Sequence, residues 1–216
     1  MNERGKIQIT DPSGFPEPVA RLQKALAARG FLDALSEITG IPRLLADPDL
    51  NGGGIHMTGP TGRLDVHVDF NYLREKDWHR RLNILLYLNP DWEDSWGGHV
   101  ELWDQRVRVC HHSFMPVLNR CVIFETSDIS YHGVAPVTCP PDKIRKSFAG
   151  YYYTLEPSPH WSGRYHSTRF RARPHEKLKG LVHMPVEKVA GSFRRVIRGV
   201  RKLATRRGKT GGPQGR

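Results

Sequence analysis

The 216-residue chain reads as a mainly β fold with flanking helices, a jelly roll with small helices at its front. Three observations predict it. Apolar residues recur at three and four positions only near the two ends of the chain. From residue 62 to the region of residue 154 the period shortens to two, in short runs separated by Gly, Pro, Asn and Asp clusters, the pattern of a β-sandwich or barrel. No internal repeat and no second apolar core appear, so a single domain of ordinary size accounts for the block.

The elements follow in chain order. From Pro16 to Gly30, Val19, Leu22, Ala25 and Leu26 line one side of a helix, and Gly30 is expected to close it. Phe31, Leu35 and Ile38 give a second, shorter helix its face, with Gly40 at its end. The Asp-Pro and triple-glycine punctuation between Pro42 and Gly54 predicts loop. The strand runs come next: RLDVHVDF, RLNILLYLN, GGHVELWD, a stretch through SFMPVLNRCVIFE, SYHGVAPV and KSFAGYYYT. After them PSPHWSGRYHSTRFRARPHE is Pro- and Arg-rich coil. Val186, Val189, Phe193, Val196, Ile197, Val200 and Leu203 then step at helical spacing among basic residues, and the last residues are compositionally disordered. The sequence thus divides into a domain over 1–160 and a basic extension over 161–216.

Composition narrows the function classes. Mean hydropathy is −0.54, and no apolar run approaches the roughly 18 residues that a membrane span requires. Residues 1–11 contain no apolar stretch of the kind a secretory leader needs, and three cysteines are too few and odd in number for a disulfide framework; a cytoplasmic setting is expected. The net charge of +11 sits wholly in the tail: residues 1–159 hold 17 Lys and Arg against 20 Asp and Glu, residues 160–216 hold 16 against 2. Three readings of that tail stay open: an amphipathic helix on an anionic membrane surface, a patch that steers an acidic substrate, or an apolar face docked on the barrel or a second subunit. No recognition motif supports specific nucleic-acid binding, and the sequence leaves the oligomeric state undecided.

The chemistry concentrates in RLDVHVDFN. Strand alternation sends Leu64, Val66, Val68 and Phe70 to one face and Asp65, His67 and Asp69 to the other. An imidazole and a carboxylate two residues apart, joined by a histidine from a distant strand, form a facial set that leaves metal positions open, as non-haem Fe(II) requires. His132 in ISYHGVAPV is the natural third ligand. The triplet alone has little weight, since about 0.6 His-x-Asp triplets are expected by chance from 11 His and 12 Asp in 216 residues, and His99-x-Glu101 offers the same geometry on another strand.

Five blocks in order carry more. HVDFN, RLNILLYLNPDW, SWGGHVELW, VLNRCVIFETSDISYHGVAPV and RKSFAGYYY make the stretch from about residue 53 to 154 resemble the Fe(II)/2-oxoglutarate-dependent dioxygenase superfamily, in particular its prolyl-4-hydroxylase-like branch. The resemblance implies a double-stranded β-helix core and Fe(II), 2-oxoglutarate and O2 as cofactor and co-substrates. It implies His67, Asp69 and His132 as iron ligands and Arg145 as partner of the distal 2-oxoglutarate carboxylate, with Tyr87 and Ser147 as further donors. A guanidinium suits that role because it stays charged and presents a planar two-pronged donor. Asn71, Trp103 and Tyr151 are the candidate substrate-pocket residues, while Trp92 and Trp96 read as loop anchors and Lys146 as a solvated charge. Which of Arg80 and Arg81 matches the family's arginine stays open. Because Asp69 keeps the carboxylate, hydroxylation is favoured over halogenation, with succinate and CO2 as co-products and a small-molecule, carrier-bound or peptidyl substrate. The alternatives are a jelly roll that binds metal or ligand without turnover, or the same oxidation ending in epimerisation, desaturation or cyclisation.

Overall fold

The computed structural model describes residues 3–176, and in it eleven strands form one curled sheet with two helices against its outer face. The expected amphipathic helix over residues 186–203 lies outside the described residues. The strands are β1 Glu3–Ile9, β2 Leu45–Ala46, β3 Gly54–Val68, β4 Tyr72–Leu73, β5 Trp78–Tyr87, β6 Val100–Trp103, β7 Cys110–Phe114, β8 Cys121–Glu125, β9 His132–Val134, β10 Arg145–Thr154 and β11 Arg169–Phe170. The main path runs β4-β5-β10-β3-β9-β6-β7, with β8 on β5, β2 on β10, and β1 and β11 both on β3. The fold is the mainly β, double-stranded β-helix class, and β3 is its hinge: residues 54–58 pair with β10 and residues 64–67 with β9.

Alternation along β5 shows how the sequence separates inside from outside. Leu82 and Ile84 face the helices and pack with Leu32, Leu35, Ile41, Leu44 and Tyr152, each such buried leucine or isoleucine contributing about 1.5–3 kcal/mol. Asn83, Leu85 and Tyr87 face the interior, where Leu85 and Tyr87 join Val100, Val122, Phe124 and Ala149. The helices α1 Glu17–Ala27 and α2 Arg29–Thr39 are separated only by Ala28, whose backbone is extended. Gly30, expected to close the first helix, instead lies in the first turn of the second. The freed Leu26 carbonyl at the end of α1 accepts from the Tyr152 hydroxyl at 3.1 Å, which fixes the break against the sheet. Gly40, as expected, ends α2 in the left-handed conformation, with φ of 69° and its N–H donating to Ser36.

Four strands escape the periodic reading: β1 precedes the helices and covers β3, β2 falls in the stretch expected as loop, β4 lies between two of the expected runs, and β11 falls inside the segment expected as coil. Residues 161–176, assigned from sequence to the basic extension, pack on the barrel: Arg169 and Phe170 pair with Val68 and His67, and the Arg171 N–H donates to the Val66 carbonyl at 2.8 Å. Composition alone hides this, because two paired residues are too few to show a period.

Candidate metal centre

His67 near the end of β3, Asp69 just beyond it and His132 at the start of β9 converge. One ligand atom of each lies within 4.8 Å of the others, and this is the one such cluster among the described residues. The histidines face each other in register, ring centroids 4.3 Å apart. His67 Nε2 is 3.4 Å from Asp69 Oδ1 and His132 Nε2 is 3.5 Å from Oδ2. Each Nδ1 lies at a backbone carbonyl, of Asp65 at 2.8 Å and of Ser130 at 3.0 Å. A carbonyl only accepts, so each Nδ1 carries a proton and each Nε2 faces the site, with a lone pair to give whenever its ring is neutral. Burial, then His67, pushes His132 down to about 4, so its imidazole is neutral and able to ligate. Asp69 is held below the usual carboxylate range: burial opposes ionisation, and the Arg80 charge and the two histidines outweigh it.

A cavity of about 450 Å³ opens beside the triad, within the ordinary range for a small-molecule site. The row His56, Ser147, Tyr87 crosses β3, β10 and β5 in register, with Thr58 and Arg145 in the row beside it. Arg145 is 3% exposed, donates from Nε to the Gly98 carbonyl at 2.6 Å and lies 5.0 Å from the Tyr87 ring centroid. No carboxylate among the described residues pairs with it, and burial pulls its pKa down. The Tyr87 hydroxyl and His56 Nε2, both buried, have no hydrogen-bond partner in the described structure. A buried cation beside orphaned polar groups is costly unless an anion joins them. The donor set fits the distal carboxylate of 2-oxoglutarate, and two imidazoles with one carboxylate fit Fe(II).

Of the three expected pocket residues only Tyr151 lines the cavity. Asn71 turns away: its Nδ2 donates to Asp128 Oδ1 at 2.9 Å and the Arg164 carbonyl at 3.0 Å, and its Oδ1 accepts from the His166 N–H at 3.0 Å, so it ties down the segment after β10. Trp103 packs against Val66, Val68, Val107 and Tyr131 and donates to Glu101 at 3.1 Å. His99 meets Asp94 at 2.9 Å, which separates it from Glu101. Trp92 and Trp96 meet edge to face at 5.4 Å over Val137 and Cys139, a loop anchor as expected.

Arg80 is the residue the sequence undervalues. A register shift between β5 and β10, where Tyr152 pairs with Leu82 but Tyr153 with Arg80, breaks the alternation of β5 at this point, so Arg81 turns to Thr154 and Glu125 and Arg80 enters the cavity wall. There its guanidinium is clamped between Phe70 at 3.6 Å and Tyr151 at 3.7 Å, with Nη1 3.1 Å from Asp69 Oδ2, close enough for ion pairing without hydrogen-bond alignment. Thr168 and Phe170 of the post-barrel segment complete the wall, Phe170 lying 5.3 Å from the His67 ring.

Comparison with known proteins agrees with this geometry. Residues 53–153 match the family described as the 2OG-Fe(II) oxygenase superfamily. The prolyl 3-hydroxylase OGFOD1 of Mus musculus is 33% identical over 78 residues, which is 34% of this chain and 14% of that protein's length. A crystal structure of a Pseudomonas putida prolyl-4-hydroxylase aligns with a TM-score of 0.46 at 20% identity, over 68% of this chain and 70% of that one. A Trichoplax adhaerens prolyl hydroxylase, solved with a hypoxia inducible factor peptide, aligns with a TM-score of 0.48 at 19% identity, over 70% and 64%. The stretch over 53–153 that matches the family, just under half of the chain, spans the strands that bear the triad and the Arg145 row, so the likeness to the 2OG-Fe(II) oxygenase superfamily falls on the site itself.

Proposed function

We propose that the chain is an Fe(II)- and 2-oxoglutarate-dependent dioxygenase that hydroxylates an unactivated C–H bond of a small-molecule, carrier-bound or peptidyl substrate. The observation that carries this reading is the buried Arg145, without a carboxylate partner among the described residues, in the same cavity as the His67, Asp69, His132 triad. A bare metal-binding module has no use for a second, anion-specific pocket. In this reading the triad holds Fe(II), and Arg145, with Tyr87 and Ser147 in the adjoining row, holds the distal carboxylate of 2-oxoglutarate. When bound, iron with 2-oxoglutarate and O2 supplies oxidation of the C–H bond, with succinate and CO2 as co-products.

The protein's own part is ligation, orientation and shielding. The Asp65 and Ser130 carbonyls fix both imidazole tautomers. Arg80 keeps Asp69 ionised, and Phe70, Tyr151 and Phe170 wall off solvent. A peptidyl substrate is favoured by the 33% match to a prolyl hydroxylase, and the basic sequence of the tail is suited to steering an acidic one; a cytoplasmic setting is part of the same proposal.

Anaerobic titration with Fe(II) and then 2-oxoglutarate tests the reading. A weak visible charge-transfer band is expected, absent in Asp69→Ala and Arg145→Ala. Bound iron with no band on adding 2-oxoglutarate would favour the non-catalytic module.

A further inference from the structure

The two metal-site histidines meet only because β3 carries an extra residue. Leu64 pairs with Val134 and His67 with His132, so three steps on β3 match two on β9. The bulge breaks strict alternation: Leu64 and His67 both line the cavity, while Asp65, expected on the face of His67, is wholly buried among arginines. A bulge leaves ladder carbonyls without their usual donors, and something must hold them.

Arg173, from the segment after the barrel, does so. It is 3% exposed, and its Nη2 reaches the Val134 carbonyl at 3.1 Å and the Leu64 carbonyl at 3.4 Å, the pair directly before the histidines. Its Nε and Nη2 both lie 2.9 Å from Glu101 Oε2 on β6, and its Nη1 lies 3.9 Å from Asp65. Glu101 is itself held by the Trp103 indole. Opposite Glu101 stands Gly133, where a Cβ would fall 3.1 Å from the Leu64 oxygen, 3.1 Å from Val66 Cα and 3.2 Å from Arg173 Nη2. One guanidinium therefore ties β3, β9 and β6 together one row from His67 and His132, and a side chain at 133 would crowd it.

We infer that Arg173 is a positioning residue for the metal site, setting the His67–His132 spacing through the β3 bulge; the inference rests on the triad being a metal site. Lysine cannot replace it, because a single ammonium lacks the fork that spans one carboxylate and two carbonyls.

The test measures Co(II) and Fe(II) affinity, the Co(II) ligand-field spectrum and thermal stability of the full chain. Arg173→Met is expected to weaken metal binding about 10- to 100-fold, as for other groups that orient metal ligands, and to alter the Co(II) spectrum, with Arg173→Lys restoring little of either. Glu101→Gln keeps the shape but weakens the anchor of Arg173, and carries the same test at smaller amplitude should Arg173→Met not fold. A lowered melting temperature with unchanged metal affinity and spectrum, in whichever variant folds, reduces Arg173 to plain structural support and overturns the inference. Failure of the wild-type protein to bind either metal sinks the metal-site reading instead.

Discussion

Two arginines in one cavity, each 3% exposed, have opposite surroundings. Arg80 lies 3.1 Å from the Asp69 carboxylate between two aromatic faces; Arg145 has a carbonyl, the Tyr87 ring 5.0 Å below its charge and no acid among the described residues. The same desolvation acts on both, yet Arg80 is raised above its ordinary value by Asp69 while Arg145 is lowered. The contrast teaches where the protein is complete and where it waits for a ligand. Asp69 already balances Arg80 and adds a donor to the triad; the charge of Arg145 is balanced only by something that arrives.

The largest test removes the group that separates the two cases. Asp69→Asn keeps the side-chain shape but leaves Arg80 as unpaired as Arg145. Breaking a buried pair from one side costs about 3–5 kcal/mol, so a large loss of unfolding free energy in urea is expected, together with loss of metal binding by calorimetry. Retention of both would mean that Arg80 and the metal each find another partner.

Next in size is Arg145→Lys. Loss of a two-pronged, desolvated contact to a carboxylate should raise the 2-oxoglutarate Kd about 30- to 1,000-fold, the equivalent of 2–4 kcal/mol, while iron affinity stays near wild type. An unchanged Kd would place the carboxylate elsewhere in the cavity. Arg80→Met gives the complementary result. It removes the cation that neutralises Asp69, so the metal-free protein should lose stability, and added metal, now the sole countercharge, should raise the melting temperature by more than it does in wild type. An equal rise in both proteins would show that the Arg80–Asp69 pair has little energetic weight.

How much of this is legible in the sequence follows from range. The grouping of His67, Asp69 and His132 and the place of Arg145 come from strand alternation and ordered motifs, both local. The clamp on Arg80 is not local: Tyr151 arrives from β10, 71 positions away, and nothing near Arg80 announces it. Asn71 has the right spacing from Asp69 to be a pocket residue, yet the segment it binds, residues 164–166, reads as coil, so its partners are invisible. A bulge is a property of two strands in register, so no reading of β3 alone separates Asp65 from His67. Arg173 is missed for the same reason, hidden among the arginines of a basic tail.

The smallest effect sharpens the comparison most directly, because His56 senses the charge of Arg145. Burial first, then Lys6 and Arg145, push His56 down to about 3. The sign follows from proton counts. Between about 6.5, where a free histidine titrates, and the folded value, the unfolded chain binds a proton that the folded chain does not, so stability rises with pH across that window and falls as pH drops through it. The metal-free protein should therefore lose up to about 1.4 kcal/mol per pH unit on account of His56 below about pH 6, and His56→Gln should remove that share of the slope in urea titrations. An anion seated on Arg145 screens the charge that disfavours the imidazolium. Saturating 2-oxoglutarate should then flatten the wild-type slope and leave that of His56→Gln unaltered. Should 2-oxoglutarate shift both slopes equally, the anion is not beside His56, and the row linking His56, Ser147 and Tyr87 to Arg145 is not where it binds.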